Sequence, residues 1–218
     1  MSTADYRSLR IPKNAARRFV WRSIANYLKS EIDADSPTVD LGAGNFDFLE
    51  NVRSTRRIAI DLDPAILDDL IEGIEALHSN VAERIPLPTD LAGTVLASNL
   101  LEHLERDEVD RCLREIYRTL RPGGKLLVIQ PNFRINPHHY FDDFTHKTIL
   151  THHSLRDWLL SIGFEVTRID ARFLPLTLKS RLSFGHRLTP LYLRLPYRPF
   201  ASQMLVIARK PTGIRHEG

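Results

Sequence analysis

Apolar positions along the 218-residue chain follow two rhythms. Between Pro12 and Ser30 they recur at helical spacing, with Phe19, Ile24, Tyr27 and Leu28 approximating one face, which predicts an opening helix over residues 12–30. Short apolar runs follow at Thr38 to Leu41, Arg57 to Ile60, Ile74 to Leu77, Thr94 to Ala97 and Lys125 to Ile129, each long enough for a strand and too short for a lone helix. The helical rhythm returns from Arg106 to Leu120, where Val109, Leu113, Ile116, Tyr117 and Leu120 share a stripe before Arg121-Pro122-Gly123-Gly124 stops it. A helix at Ser154 to Ser161 ended by Gly163, a strand near Phe164 to Ile169 and a final strand at Gln203 to Ala208 complete the order. Strands alternating with helices predict an α/β, doubly wound domain whose mostly parallel sheet is covered on both faces.

Composition narrows the class. Hydrophobic residues make up 43% and charged residues 26%, a balance that builds a buried core and excludes a disordered chain. The lone Cys112 excludes an internal disulfide and any multi-cysteine zinc module. With no repeat and no linker, the length gives one domain over residues 1–218: helix 12–30, core 36–170, insertion 171–200 and last strand 201–210. The opening residues lack a signal-peptide pattern and no uncharged run reaches bilayer length, so the expected location is cytoplasmic.

The most informative stretch is Thr38-Val39-Asp40-Leu41-Gly42-Ala43-Gly44-Asn45-Phe46, which reads as a buried strand, a glycine turn and the start of a helix. In doubly wound sheets ligands bind at the carboxyl ends of strands, where glycine admits close backbone approach. Asp61, closing the next strand in Ile58-Ala59-Ile60-Asp61, stands where a carboxylate can accept from both ribose hydroxyls. Asp40 and Asp47 oppose a pyrophosphate, Asp47 occupies the position of the last glycine of the dinucleotide pattern, and no lysine follows as in a Walker loop. A cationic ligand carrying a ribose suits these acids.

With VDLGAGNF, AIDLDP, SNVAERIPLP, ASNLLEHL and REIYRTLRPGGKLLVIQPN in this order, the chain resembles class I S-adenosylmethionine-dependent methyltransferases of the type 11-like group over roughly residues 36–170. The resemblance implies a Rossmann-like, seven-stranded sheet with an antiparallel last strand, and S-adenosylmethionine as cofactor. Carried over by position, Asp40, Gly42 and Gly44 would surround the methionine end, Asp61 the ribose, Asn80 and Val81 the adenine, and Ser98 with Asn99 the sulfonium side. Phe46 departs from the pattern, standing where many relatives have a third glycine, so either the turn is wider or the ring shapes the pocket. Asn80 and Thr94 each replace a common Asp.

Methyl transfer from a sulfonium needs alignment rather than a metal, and none is expected here. A hydroxyl acceptor needs a base, and the segment Asn132 to His146 after the fifth strand is rich in candidates. A similar Asp-x-Thr-His stretch in related methyltransferases lines the acceptor side, which makes His146 the expected base and Asp143 its orienting carboxylate, with a capping role for His146 as the structural alternative. A metal set of His138, Asp142 and His146 would need a clean helical face, against which Pro137 argues; His103 reads as packing below the site.

Net charge is +3, yet residues 171–218 hold nine basic residues and one acid, +8, leaving −5 on the first 170. This asymmetry suits an anionic partner or is an ordinary basic face. Leu188, Leu191, Tyr192 and Leu195 approximate a helical face near Arg187, Arg194 and Arg198, fitting a lipid-linked or phosphorylated acceptor, a peripheral membrane contact, or a lid or homodimer face. The tail resembles that of methyltransferases associated with glycan assembly, which points to a sugar hydroxyl, free or lipid-linked. The other readings are a non-catalytic cofactor-binding module and a nucleic-acid methyltransferase, the latter disfavoured because no recognition module is evident.

Overall fold

The computed structural model describes residues 14–68, 70–175 and 185–213. Seven strands, β1 (Thr38–Leu41), β2 (Arg57–Asp61), β3 (Glu75–His78), β4 (Ala92–Ser98), β5 (Leu120–Pro131), β6 (Glu165–Asp170) and β7 (Gln203–Arg209), form one sheet in the order β3-β2-β1-β4-β5-β7-β6. Pairings among the first five are parallel, and β7 runs antiparallel to both β5 and β6. The mostly parallel sheet follows the element order, and its antiparallel β7 gives the Rossmann-like arrangement that the resemblance implies.

Period-two alternation divides the core into two layers. Val39, Leu41, Ile58, Ile60, Val95, Ala97, Leu126, Val128, Met204 and Val206 pack in one buried cluster. Ala59, Leu96, Leu127, Ile129, Leu205 and Ile207, their neighbours in sequence, pack in the other. Helices α2 (Arg106–Thr119) and α3 (His152–Ile162) cover the first layer through Val109, Leu113, Ile116, Leu155 and Leu159. The second is covered by α1 (Ala15–Tyr27), through Val20, Trp21 and Ile24, and by Leu193 of the short helix α4 (Thr189–Arg194). Asp40 alternates with Val39 and Leu41 and therefore lies on the α1 side of the sheet.

The helix ends follow local chemistry. Asn14 caps α1 by accepting the Arg17 N–H at 2.8 Å. Glu105 and Glu108 form a capping box for α2, and Thr151 with Ser154 does the same for α3. Gly163, at φ 113°, ends α3 in a conformation that side chains avoid. Gly124 lets β5 enter beside β4, since a Cβ there would come within 2.9 Å of the Ala92 and Arg121 carbonyl oxygens. Residues 12 and 13 of the expected opening helix lie outside the described residues.

One expectation needs correction. No α-helix starts after the glycine turn: the connection to β2 holds only a 3-10 turn at Leu49–Asn51, and that from β2 to β3 another at Pro64–Leu67. Phe46 sits at φ 63°, and a left-handed residue cannot continue a right-handed helix. The apolar stripe expected at 188–195 lies on the outside of the fold: Leu188 is 61% exposed and Leu191 63%, while Thr189 and Leu193 are buried. Residues 176–184 of that insertion lie outside the described residues. No helix among the described residues is long and apolar enough to cross a membrane.

Candidate active site

Strand register assembles the site. Leu41 lies opposite Ile60 and Ala97, so Gly42, Asp61 and Ser98 emerge together at the carboxyl edge of β1, β2 and β4. Asp61 lies opposite His78, and the Ser79 N–H donates to the Asp61 carbonyl at 2.9 Å, which brings Asn80 and Val81 to the same edge. On the far side Asn99 N–H donates to the Ile129 carbonyl, and Gln203 Nε2–H, at the start of β7, donates to Asn99 Oδ1 at 2.7 Å.

The glycine turn uses positive φ at Gly42 (68°) and Gly44 (55°), and the Gly42 N–H donates to the Ile60 carbonyl at 2.8 Å. Asp61 fastens it: Oδ2 accepts the Gly44 N–H at 2.9 Å and Oδ1 the Asp63 N–H at 2.9 Å. Each oxygen keeps a second lone pair, so the carboxylate can still accept two ribose hydroxyls. Phe46 takes up a positive φ of 63°, and its ring is buried in the same apolar cluster as Trp21 and Phe48.

Charge at this edge is negative. Asp40 is buried, and desolvation, with Asp61 and Asp47 nearby, pushes its carboxyl well above the usual range against the pull of Arg17. Arg17 reaches down from α1 to Asp47 at 2.6 Å. One guanidinium faces three carboxyls, a donor set that fits a ligand carrying a sulfonium and an ammonium. Asn80 closes its own turn, accepting the Ala82 N–H at Oδ1 (3.1 Å) and donating to Glu83 (2.9 Å), beside the buried Val81.

The acceptor segment folds back from β5 onto the turn after β4. Glu102 anchors it, its carbonyl accepting the Lys147 N–H at 2.8 Å and the Thr148 N–H at 3.2 Å, while Thr148 Oγ1 donates to the Leu104 carbonyl at 2.6 Å. His146 Nδ1 lies 2.5 Å from the Tyr140 carbonyl, and its ring meets those of Tyr140 and His103 at centroid distances of 4.7 and 5.0 Å. Asp143 Oδ1 accepts the Thr145 N–H at 3.1 Å and its hydroxyl at 2.6 Å, and the same hydroxyl lies 2.9 Å from His103 Nδ1. His103 thus faces the acceptor segment, where packing alone had been expected. The candidate metal set does not form a helical face: residues 137–142 are a 3-10 turn, and Asp142 pairs with His139.

Glu102 itself has no exposed surface, and both carboxyl oxygens lack a hydrogen-bond partner among the described residues. Burial, aided by the Asp143 charge, pushes its pKa to about 8, opposed only in part by its own backbone N–H. The folded carboxyl therefore keeps a proton that the unfolded chain releases near 4.5, so stability falls as pH rises from about 4.5 to about 8 and levels off above that. Glu102→Gln removes this contribution. In chelated buffer, thermal midpoints at pH 5 and pH 8.5 should differ less in the variant, at about 2–4 °C per kcal/mol for a domain of this size; equal differences would show that Glu102 does not titrate in this window.

The basic tail is partly used inside the fold. Arg198 donates to Asp170 at 3.0 Å and to the Tyr27 hydroxyl at 2.7 Å, Arg209 pairs with Glu165 at 2.5 Å and Lys210 with Asp90 at 2.6 Å.

Residues 39–128 match the family model described as a methyltransferase domain, of type 11. No curated protein sequence matches the chain. Among solved structures, a chain from the Haloferax volcanii complex containing the Trm112 methyltransferase activator is 18% identical with a TM-score of 0.68, over 90% of this chain and 91% of that one. A SAM-dependent methyltransferase from Archaeoglobus fulgidus is 17% identical with a TM-score of 0.66, over 88% and 94%. The [4+2]-cyclase SpnF is 18% identical with a TM-score of 0.62, over 88% and 81%. Sheet order and the match over residues 39–128 make the chain similar to class I methyltransferases, enzymes whose methyl donor is S-adenosylmethionine.

Proposed function

We propose that the protein transfers a methyl group from S-adenosylmethionine to a hydroxyl of a sugar, free or lipid-linked. The cofactor supplies an electrophilic methyl on a sulfonium. The chain's own part is to hold the ribose through Asp61, the methionine end through Asp40 and the turn at Gly42 and Gly44, the adenine beside Asn80 and Val81, and the sulfonium side near Ser98 and Asn99.

The observation that carries the oxygen acceptor is the imidazole of His146. A carbonyl only accepts, so the Tyr140 carbonyl fixes the proton on Nδ1 and leaves the lone pair on Nε2, the form a general base needs. Asp143 accepts from the Thr145 hydroxyl, which lies 2.9 Å from His103 Nδ1. Phe141 and Phe144, 53% and 69% exposed on the same segment, offer apolar faces for a sugar ring. Leu188, Leu191, Leu195, Tyr197 and Phe200 are exposed beside the exposed Arg187 and Arg194, which suits a lipid-linked acceptor presented at a membrane surface.

The test is incubation with labelled S-adenosylmethionine and a panel of sugars, lipid-linked sugars, amines and oligonucleotides, read by mass spectrometry. Methyl ethers on sugars are the expected product. Methylation confined to amines or oligonucleotides would overturn the acceptor reading, and cofactor binding without any transfer would favour a binding module.

A further inference from the structure

We propose that Glu102, His103 and His146 form a binding site for a divalent transition-metal ion. Among the described residues these side chains have metal-ligand composition and each offers one ligand atom, all within 4.8 Å of one another. Two ligands bound to one ion at about 2.0–2.2 Å lie at most about 4.4 Å apart, so small side-chain rotations would close the set on a single ion.

Three independent features prepare the cluster. Glu102 follows two leucines in the turn after β4, and the burial of Leu101 carries the carboxyl inward with it, to a place with no exposed surface and no hydrogen-bond partner for either oxygen. A carboxyl in that state is costly, and a cation offsets the cost. Next, the Thr145 hydroxyl has one proton, and its 2.6 Å contact to the Asp143 carboxylate takes it. The hydroxyl must then accept from His103 Nδ1–H, so the His103 lone pair is on Nε2. The Tyr140 carbonyl imposes the same tautomer on His146. Oxygen partners on the remote nitrogen of both imidazoles are what metal-bound histidines carry.

Two imidazole nitrogens and one carboxylate favour zinc, manganese, iron or cobalt over calcium or magnesium, and leave coordination positions open. The site goes beyond the acceptor reading and is separable from it, because binding needs neither cofactor nor acceptor. An ion there would compete with the base role, since one Nε2 lone pair serves either; in the loaded protein the ion would polarise an acceptor oxygen instead.

The full chain, stripped by chelator and dialysed, should be titrated with zinc and with manganese, with bound metal measured by elemental analysis and cobalt substitution read by visible absorption. Wild type should take up one ion per chain. Glu102→Gln, which keeps side-chain shape, and His103→Ala should lose it while retaining wild-type circular dichroism. Thr145→Val, which removes the oxygen partner of His103 Nδ1, should weaken affinity about 10- to 100-fold. Removing His139 or His153 should change nothing. No binding by folded wild type, binding that survives Glu102→Gln, or binding lost with His139→Ala would each overturn the site; failure to methylate a sugar would leave it standing.

Discussion

Asp61→Ala should raise the dissociation constants of S-adenosylmethionine and its demethylated product by about 10²- to 10⁴-fold, the equivalent of two hydrogen bonds to a charged group at about 1.5–3 kcal/mol each. The carboxylate ends β2 beside Gly42 and is the one acid at this edge with both oxygens already engaged by backbone amides of the turns it would help present. The same substitution frees the Gly44 and Asp63 N–H groups, so the cofactor-free protein should also lose about 1–3 kcal/mol of stability. Asp61→Asn separates the effects: its remaining oxygen can keep one amide bond while the charge is gone, so it should recover much of the stability and little of the affinity. Calorimetry with both ligands, alongside urea unfolding, reads the two quantities. Unchanged affinity in a folded Asp61→Ala protein would remove the ribose contact.

The sheet was legible because strands buried on both faces are written as continuous apolar runs, and those at 38–41, 57–60 and 203–208 differ from the observed strands by one residue at most. The glycine turn and Asp61 were legible for a related reason: a ligand edge is fixed by strand ends, and strand ends by register. The crossovers after β1 and β2 were not. After β1 the strand-and-glycine-turn pattern of residues 38–46 led to an expected helix, and Phe46 at left-handed φ interrupts it, with its ring held in the core as no local pattern specifies. The stripe of Leu188, Leu191 and Leu195 was legible as an amphipathic surface and is exposed, while α4 docks by Leu193 on its other side.

Around the acceptor segment residue types were legible without their partners. The order Asp143, Thr145, His146 suggests a carboxylate steering an imidazole; the folded segment puts the Tyr140 carbonyl on His146 and the Thr145 hydroxyl on Asp143. A backbone carbonyl has no sequence signature. Glu102 did have one, a lone carboxylate among Leu100, Leu101 and Leu104, but only tertiary burial tells a solvated acid from one sealed beneath two histidines.

His146→Ala should lower turnover about 10²- to 10⁴-fold, the usual loss with an acid-base group, while cofactor affinity stays within error of wild type. The expectation rests on position: His146 belongs to the segment returning from β5 to the turn after β4, whereas the residues proposed to hold the cofactor lie on the edge of β1, β2 and β4. Stability provides the control, because the imidazole also packs on Tyr140 and His103. His146→Gln keeps a polar group of similar reach but no base, so a rate as low as that of Ala, with more of the stability restored, would assign the loss to proton removal. Treatment of wild type with chelator then divides the two chemistries this imidazole can perform. Full activity after metal removal, together with loss in His146→Ala, makes Nε2 the base. Activity lost on chelation, restored by added zinc or manganese and absent in Glu102→Gln, makes it a ligand. Loss of cofactor affinity in step with turnover would reduce His146 to a structural part of the segment, and an unchanged rate would place proton removal elsewhere.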